Sequence, residues 1–347
     1  MTGQLYNKKS KEELKKILDE EPFERETLSF YKYTTIDRGK LQTLRDNLYY
    51  DLTKLSVLGR IYVASEGINA QVSVPKDKRD LLYNYINSIE FLSGIHIKNA
   101  IQEGQSFYKL TIKVKNEIVA YGIDENEYNM SKVGQHLSPK EFNQALENPN
   151  AVVVDIRNHY ESEVGKFKNA IIPDVDRSKE LLLEIKNQLK GKENNKILLY
   201  CTGGIRCEKA SSYLIKNNFS DVNQLDGGII NYAHKVKEKQ IKSKFIGKNF
   251  VFDNRLGERI TSDIISQCHQ CNNKSDNHTN CANDICHLLF IQCDKCKIEF
   301  NNCCSKECCE YLSLDEENKN IKKKEFLDYN TKRHRGKVKP KLYEILN

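Results

Sequence analysis

The chain has 347 residues, 30% of them charged and 39% apolar, which suits two or three water-exposed domains with cores of their own. No apolar run reaches the ~18 residues of a membrane-spanning helix, and the polar start MTGQLYNKKS lacks the apolar core of a signal peptide, so a cytoplasmic protein with no membrane role is expected. The formal net charge of +7 is matched by the last thirty residues alone, Asn318 to Asn347, where ten Lys/Arg meet three acids.

In chain order, residues 10–21 read as a short helix capped by Ser10, with Leu14, Ile17 and Leu18 on one face. LSFYKYTTI, 28–36, reads as a strand. Leu41 to Leu55 is helical, with leucines at spacings of three and four. GRIYVASEGINAQVSVP, 59–75, reads as two strands turning at Glu66-Gly67, followed by a helix over 76–89 and a strand over 107–115. The order β-α-β-β-α-β is the ferredoxin or acylphosphatase-like pattern. It is expected to fill residues 1–125.

A second block, 126–243, opens its first helix with Ser138-Pro139, a cap followed by proline. AVVVDIR (151–157) is a buried strand and 178–190 is helical. KILLY (196–200), a helix over 207–217, the strand Val222–Leu225 and a final loop and helix in DGGIINYAHKV follow. Strands alternating with helices predict a parallel α/β sheet. The third block, 244–315, is irregular and rich in cysteine. A basic tail, 316–347, completes the chain and is suited to holding phosphates.

The chemistry concentrates where KILLY runs into CTGGIRC. In an open α/β sheet, ligands sit beyond the carboxyl ends of the strands, and Cys201 stands at that place. Thr202, Gly203, Gly204 and Ile205 can curl their backbone N–H groups inward. The following helix and Arg206 add positive charge. A thiol there ionises readily and becomes a nucleophile, or carries a negatively charged sulfur adduct. Cys207 either resolves an oxidised or persulfidated Cys201 or packs in the first helical turn; packing is expected. Cysteine and arginine are separated by four residues, not the five of the wider phosphatase loops, so a phosphatase is not expected.

Ten of the twelve cysteines lie between Cys268 and Cys309. In a chain without a secretion signal, this points to metal or redox chemistry, not to disulfides. Cys268 and Cys271 form one C-x2-C and Cys293 and Cys296 another, with 21 residues between them. Two such knuckles offer four thiolates to a tetrahedral zinc. A weaker second set is Cys281, Cys286, Cys303 and Cys308, with His287 the alternative to Cys286 and Cys304 the alternative to Cys303. An iron–sulfur cluster would use the same ligands. There is no GxGxxG, and no flavin or nicotinamide motif.

CTGGIR, together with Asp155-Ile156-Arg157 and Gly227-Gly228, resembles the rhodanese family, whose catalytic cysteine carries a persulfide. The segment 165–169, Gly-Lys-Phe-Lys-Asn, departs from that family's Gly-His-Ile-x-Gly. The longer combination is GRIYVASEGINAQVSVP, YCTGGIRCEKAS, FVFDNR (250–255), CHQC, DNHTNCANDICHLLFIQCDKC and CCSKEC. It resembles the rhodanese-like tRNA uridine hydroxylases over nearly the whole chain. That resemblance implies an oxidoreductase that uses molecular oxygen to 5-hydroxylate the wobble uridine in a tRNA anticodon loop, with Cys201 essential. It implies an acylphosphatase-like N-terminal domain and, with an electron donor left open, an RNA partner for the basic tail. Tyr31, Tyr33 and Tyr62 are candidates to stack a base. A persulfide sulfurtransferase, or a zinc-stabilised RNA-binding protein without activity, are the competing readings.

Overall fold

The computed structural model describes residues 5, 7–175, 178–283 and 285–322. The basic tail from 323 onward lies outside the described residues. The chain forms two compact units, each built from several segments: Met1–Val152 with Leu189–Ile241 and Phe252–Arg255, and Val153–Gln188 with Lys242–Val251 and Leu256–Asn347. Among the described residues, no helix is long and apolar enough to cross a membrane.

The first unit holds two sheets. One has five strands in the order Lys98–Asn99, Arg25–Tyr33, Gly67–Pro75, Leu58–Ala64, Leu110–Val114. The three central strands are antiparallel, and Leu110–Val114 runs parallel to Leu58–Ala64. Leu48 and Leu52 of the helix Leu41–Lys54, and Leu82 and Ile86 of the helix Arg79–Ser88, are buried in a core with Leu28, Phe30, Ile61, Val63, Ile68 and Val72. The ferredoxin-like class expected from the sequence is present, with one correction. The strand that closes the pattern beside Arg25–Tyr33 is the two-residue Lys98–Asn99, not the segment 107–115. The latter adds a fifth strand on the opposite edge. Two residues carry no readable alternation, whereas Leu110–Val114 does.

The other sheet is parallel. Asp221–Leu225 lies between Gln135–Leu137 and Lys196–Tyr200, and pairs in parallel with both. Next in order is Ala151–Asp155, along which the chain leaves this unit. Residues 197–200 are fully buried, as a strand covered on both faces must be. The helix Pro139–Ala145 starts at the expected cap, with Ser138 and Glu141 forming a reciprocal capping box.

In the second unit, Phe245–Asn249 pairs antiparallel with Gly165–Phe167 and with Glu258–Arg259. Phe167 and Phe245 meet edge to face, their ring centres 5.4 Å apart. Further on come the hairpin His278–Asn280 with Leu289–Ile291 and the short helices Asp294–Glu299 and Lys306–Leu312.

Candidate active site and cysteine groups

Cys201 follows the last residue of the Lys196–Tyr200 strand, and the helix Ile205–Lys216 begins four residues later. Gly204, at φ 98°, makes the turn that reverses the loop, a conformation glycine adopts without a Cβ penalty. Its N–H donates to Cys201 Sγ at 3.1 Å. The loop is also held from below. Ile229 N–H donates to the Cys201 carbonyl at 3.0 Å, and Ile230 N–H to the Thr202 carbonyl at 3.1 Å. Gly228 permits this approach: a Cβ there would lie 2.6 Å from the Cys201 carbonyl oxygen and 2.7 Å from both Gly204 N and the Thr202 carbonyl oxygen. A Cβ at Gly203 would meet nothing within 4 Å, so the outer side of the loop is open.

The Cys201 thiol is fully buried. Burial opposes its ionisation, but the Cys207 S–H, the Arg206 charge and the backbone N–H groups of Cys207 and Arg206 together outweigh that, and hold the thiol down at about 6. The Cys207 thiol is pushed well above its ordinary value by burial and by the bond it makes to Cys201, so it stays protonated as the donor. Arg206 Nη2 donates to Thr202 Oγ1 at 3.1 Å, and its guanidinium carbon lies 5.7 Å from the centre of the Phe252 ring.

The five-stranded sheet contributes to the same place. Leu28 and Phe30 point into its core, so by alternation Tyr31 and Tyr33 point away from it. Tyr31 OH donates to Glu208 Oε1 at 3.1 Å, and Tyr33 OH donates to the Ile205 carbonyl at 3.3 Å. Tyr121 OH donates to the Arg206 carbonyl at 3.3 Å. Lys98 Nζ sits 4.5 Å from the centre of the Tyr31 ring. Burial lowers the Lys98 pKa, and attraction to Cys201, Asp226 and Glu208 offsets part of this. Glu208 also meets His136 Nε2 at 2.9 Å and accepts from Gln224 Nε2 at 3.0 Å. Burial pushes the Glu208 pKa up, but the bonds from His136, Gln224 and Tyr31 prevail and keep it ionised. One residue on, the buried Lys209 Nζ lies 2.8 Å from Glu66 Oε2 and 2.9 Å from Glu117 Oε2. These ion pairs pin the start of the helix to the five-stranded sheet.

Sequence reading located Cys201, Thr202 to Arg206 and Cys207, which the structure brings together in one loop and helical turn. It did not find Lys98, His136, Glu208, Lys209 or Gln224. An acid in the first turn of the helix behind a thiol loop was the one local signal for Glu208. Tyr31 and Tyr33 stand beside this helix with their hydroxyls bonded to it, while Tyr62 lies half-buried in its strand with Lys115 Nζ 5.6 Å from its ring centre.

In the second unit, Asp155 and Arg157 form a fully buried ion pair at 2.7 Å. Ser162 Oγ donates to the Asp155 carboxylate at 2.8 Å, and Arg157 Nη2 to the Gly165 carbonyl at 2.6 Å. The pair clamps strand, helix and turn of its own unit.

Cys268, Cys271, Cys293 and Cys296 converge, with every sulfur within 4.8 Å of the others, and so do Cys281, Cys286, Cys304 and Cys308. Both groups have the ligands to bind a metal ion. The second differs from the expected set in one member: Cys304 replaces Cys303. Neighbouring residues before a helix point in different directions, and the Cys303 thiol turns toward Cys309. His269 Nε2 bonds Glu163 Oε1 at 2.8 Å, and neither His278 nor His287 joins a group.

Three family descriptions match the chain: the UPF0176 acylphosphatase like domain over residues 25–118, the rhodanese-like domain over 138–235 and the rhodanase C-terminal region over 246–309. A tRNA uridine(34) hydroxylase of Leptospira interrogans is 48% identical over 342 residues, which are 98% of this chain and 93% of that protein. A tRNA uridine(34) hydroxylase of Salmonella gallinarum is 48% identical over 317 residues, 90% of this chain and 89% of that protein.

Proposed function

This chain belongs to the tRNA uridine(34) hydroxylases, and from that premise we propose how its Cys201 loop supports the oxygen-dependent 5-hydroxylation of the wobble uridine of tRNA. The observation that supports the reading most is the Cys201 thiol itself, buried at a strand end yet held down at about 6. Position 34 lies in a single-stranded loop, so its base can leave the stack and enter a pocket. The open side of the loop at Gly203 gives that base a way in, and Arg206 attracts the phosphate beside it.

The Cys201 thiolate adds to C6 of the uracil, forming a C–S bond and moving an electron pair toward C5 and O4. C5 then bonds one oxygen atom of O2, giving a C5 peroxide, and two electrons and two protons from an external donor cleave its O–O bond, leaving a hydroxyl on C5 and releasing the other oxygen as water. Loss of the C5 proton and departure of the Cys201 thiolate restore the ring double bond. In sum, one oxygen atom enters the C5–H bond and the other leaves as water, with two electrons and two protons from an external donor. Among the protein's own groups, Arg206, the loop N–H groups and the Cys207 thiol stabilise the sulfur whenever it carries charge. The four-cysteine groups would hold structural zinc and take no part in this step.

The test is the nucleoside content of tRNA from cells lacking this protein and complemented with wild type or Cys201→Ala. The reading predicts that 5-hydroxyuridine and its derivatives return only with wild type. Unchanged 5-hydroxyuridine, with a thiolated nucleoside that follows Cys201, would instead make the loop a sulfur carrier. Full rescue by Cys201→Ala would leave an RNA-binding protein whose thiol is dispensable.

A further inference from the structure

Eight of the ten cysteines between Cys268 and Cys309 fall into the two groups of four. The sulfurs approach each other to 3.5 Å between Cys271 and Cys293, and to 3.6 Å between Cys286 and Cys304 and between Cys304 and Cys308. That is too far for disulfides, whose sulfurs are about 2.05 Å apart. It is close to the roughly 3.8 Å that separates sulfurs around a tetrahedral zinc with bonds of about 2.3 Å.

The order along the chain is the informative part. Cys268 and Cys271 belong to one group, Cys281 and Cys286 to the other, Cys293 and Cys296 to the first again, and Cys304 and Cys308 to the second. The ligand pairs alternate, so each group closes a loop that contains half of the other. We propose that the segment 268–308 is a two-zinc module with interleaved ligation, and that its two ions load and leave as a coupled pair.

Three further observations support this. The local core is made largely of the cysteines themselves: one cluster is Cys281, Phe290, Cys303, Cys304 and Cys308, and another is Cys268, Cys296 and Phe300. So little apolar surface does not hold a segment of this length, and metal coordination supplies the missing free energy. The second cysteine of each later pair, Cys296 or Cys308, lies in the first turn of a short helix, which fixes the direction of its side chain toward its group. Finally, two buried glutamines join the groups through their backbones. Gln270 stands between Cys268 and Cys271, and its Nε2 donates to the Cys303 and Cys304 carbonyls at 3.1 and 3.2 Å. Gln292, next to Cys293, donates to Gln270 Oε1 at 2.8 Å and to the Cys296 and Cys303 carbonyls at 3.3 Å. A shift of one group therefore pulls on the other.

Elemental analysis of the full-length protein and transfer of its metal to a chromogenic chelator test the proposal. Wild type and Cys303→Ser are expected to hold two zinc ions per chain, one for each group. Cys304→Ser is expected to hold at most one, released faster than either ion of wild type. Should Cys304→Ser fail to fold, Gln292→Leu, which keeps all eight thiols, carries the test: both its ions leave about tenfold faster. Cobalt-substituted wild type is expected to show the spectrum of two four-sulfur tetrahedral sites. Fewer than two zinc ions per wild-type chain, an iron–sulfur absorption, or equal damage from Cys303→Ser and Cys304→Ser would overturn the proposal. So would an unchanged release rate in Gln292→Leu, or in a folded Cys304→Ser.

Discussion

Replacing Cys207 with alanine removes the S–H that counts most among the groups favouring the Cys201 thiolate, while leaving the helix intact. Cys201 is held at about 6 instead of its ordinary 9.0, a difference of about 4 kcal/mol in favour of the thiolate. A hydrogen bond to a charged group contributes about 1.5–3 kcal/mol, so its loss is expected to raise the midpoint by about 1–2 pH units. The thiolate fraction at neutral pH would fall from about nine-tenths to between a half and about one-tenth. The pH dependence of thiolate absorbance, taken as the difference from Cys201→Ser, reads this directly. The sign of the stability effect follows from the depressed value: the stabilisation is fully present above the unfolded value near 9.0 and is lost as pH falls through about 6. Cys207→Ala should therefore be less stable than wild type at alkaline pH, with the difference shrinking toward acid. An unchanged midpoint would refute the reasoning and leave Cys207 a packing residue.

Gly228→Ala would drive a Cβ into the Cys201 and Thr202 carbonyls from a backbone at φ 68°; 5-hydroxyuridine formation is expected to drop about 100-fold, measured by nucleoside analysis. Lys209→Met leaves the Glu66 and Glu117 carboxylates without their shared cation, and a loss of about 3 kcal/mol is expected from urea denaturation. The hydrogen bond to Glu208 raises the His136 pKa above its ordinary 6.5, against burial. Its stabilisation is therefore complete below pH 6.5 and lost as pH rises through the raised value. Comparing His136→Gln with wild type by denaturation across neutral pH should show the gap closing toward alkaline pH.

What could be read in the sequence was what is local. The Ser10 and Ser138 caps, the apolar run 197–200 and the glycines after Cys201 each state their role within a few residues, and the structure has helices, a strand and a loop there. The ferredoxin-like order and the parallel α/β sheet follow from the order of such signals, while the rhodanese-like assignment rests on the resemblance carried by CTGGIR and its companion motifs. Partners far apart in the chain were not readable. Tyr31 meets Glu208 across 177 positions, and Lys209 reaches Glu117 across 92. No periodicity encodes those pairs; they exist only because one sheet faces the helix that starts behind Cys201. The choice between Cys303 and Cys304 was hidden for another reason: adjacent thiols have the same composition and spacing signal, and only the direction of the backbone entering the Lys306–Leu312 helix separates them.

The most direct test of the central claim is the source of the new oxygen and its dependence on one sulfur atom. Cells expressing wild type or Cys201→Ser are grown under heavy-isotope dioxygen in ordinary water, and the 5-hydroxyuridine of their tRNA is weighed by mass spectrometry. A heavy oxygen at C5 with wild type, and no 5-hydroxyuridine above background with Cys201→Ser, is the predicted result. An ordinary-mass oxygen, or a heavy one formed equally well without the Cys201 thiol, would contradict the account.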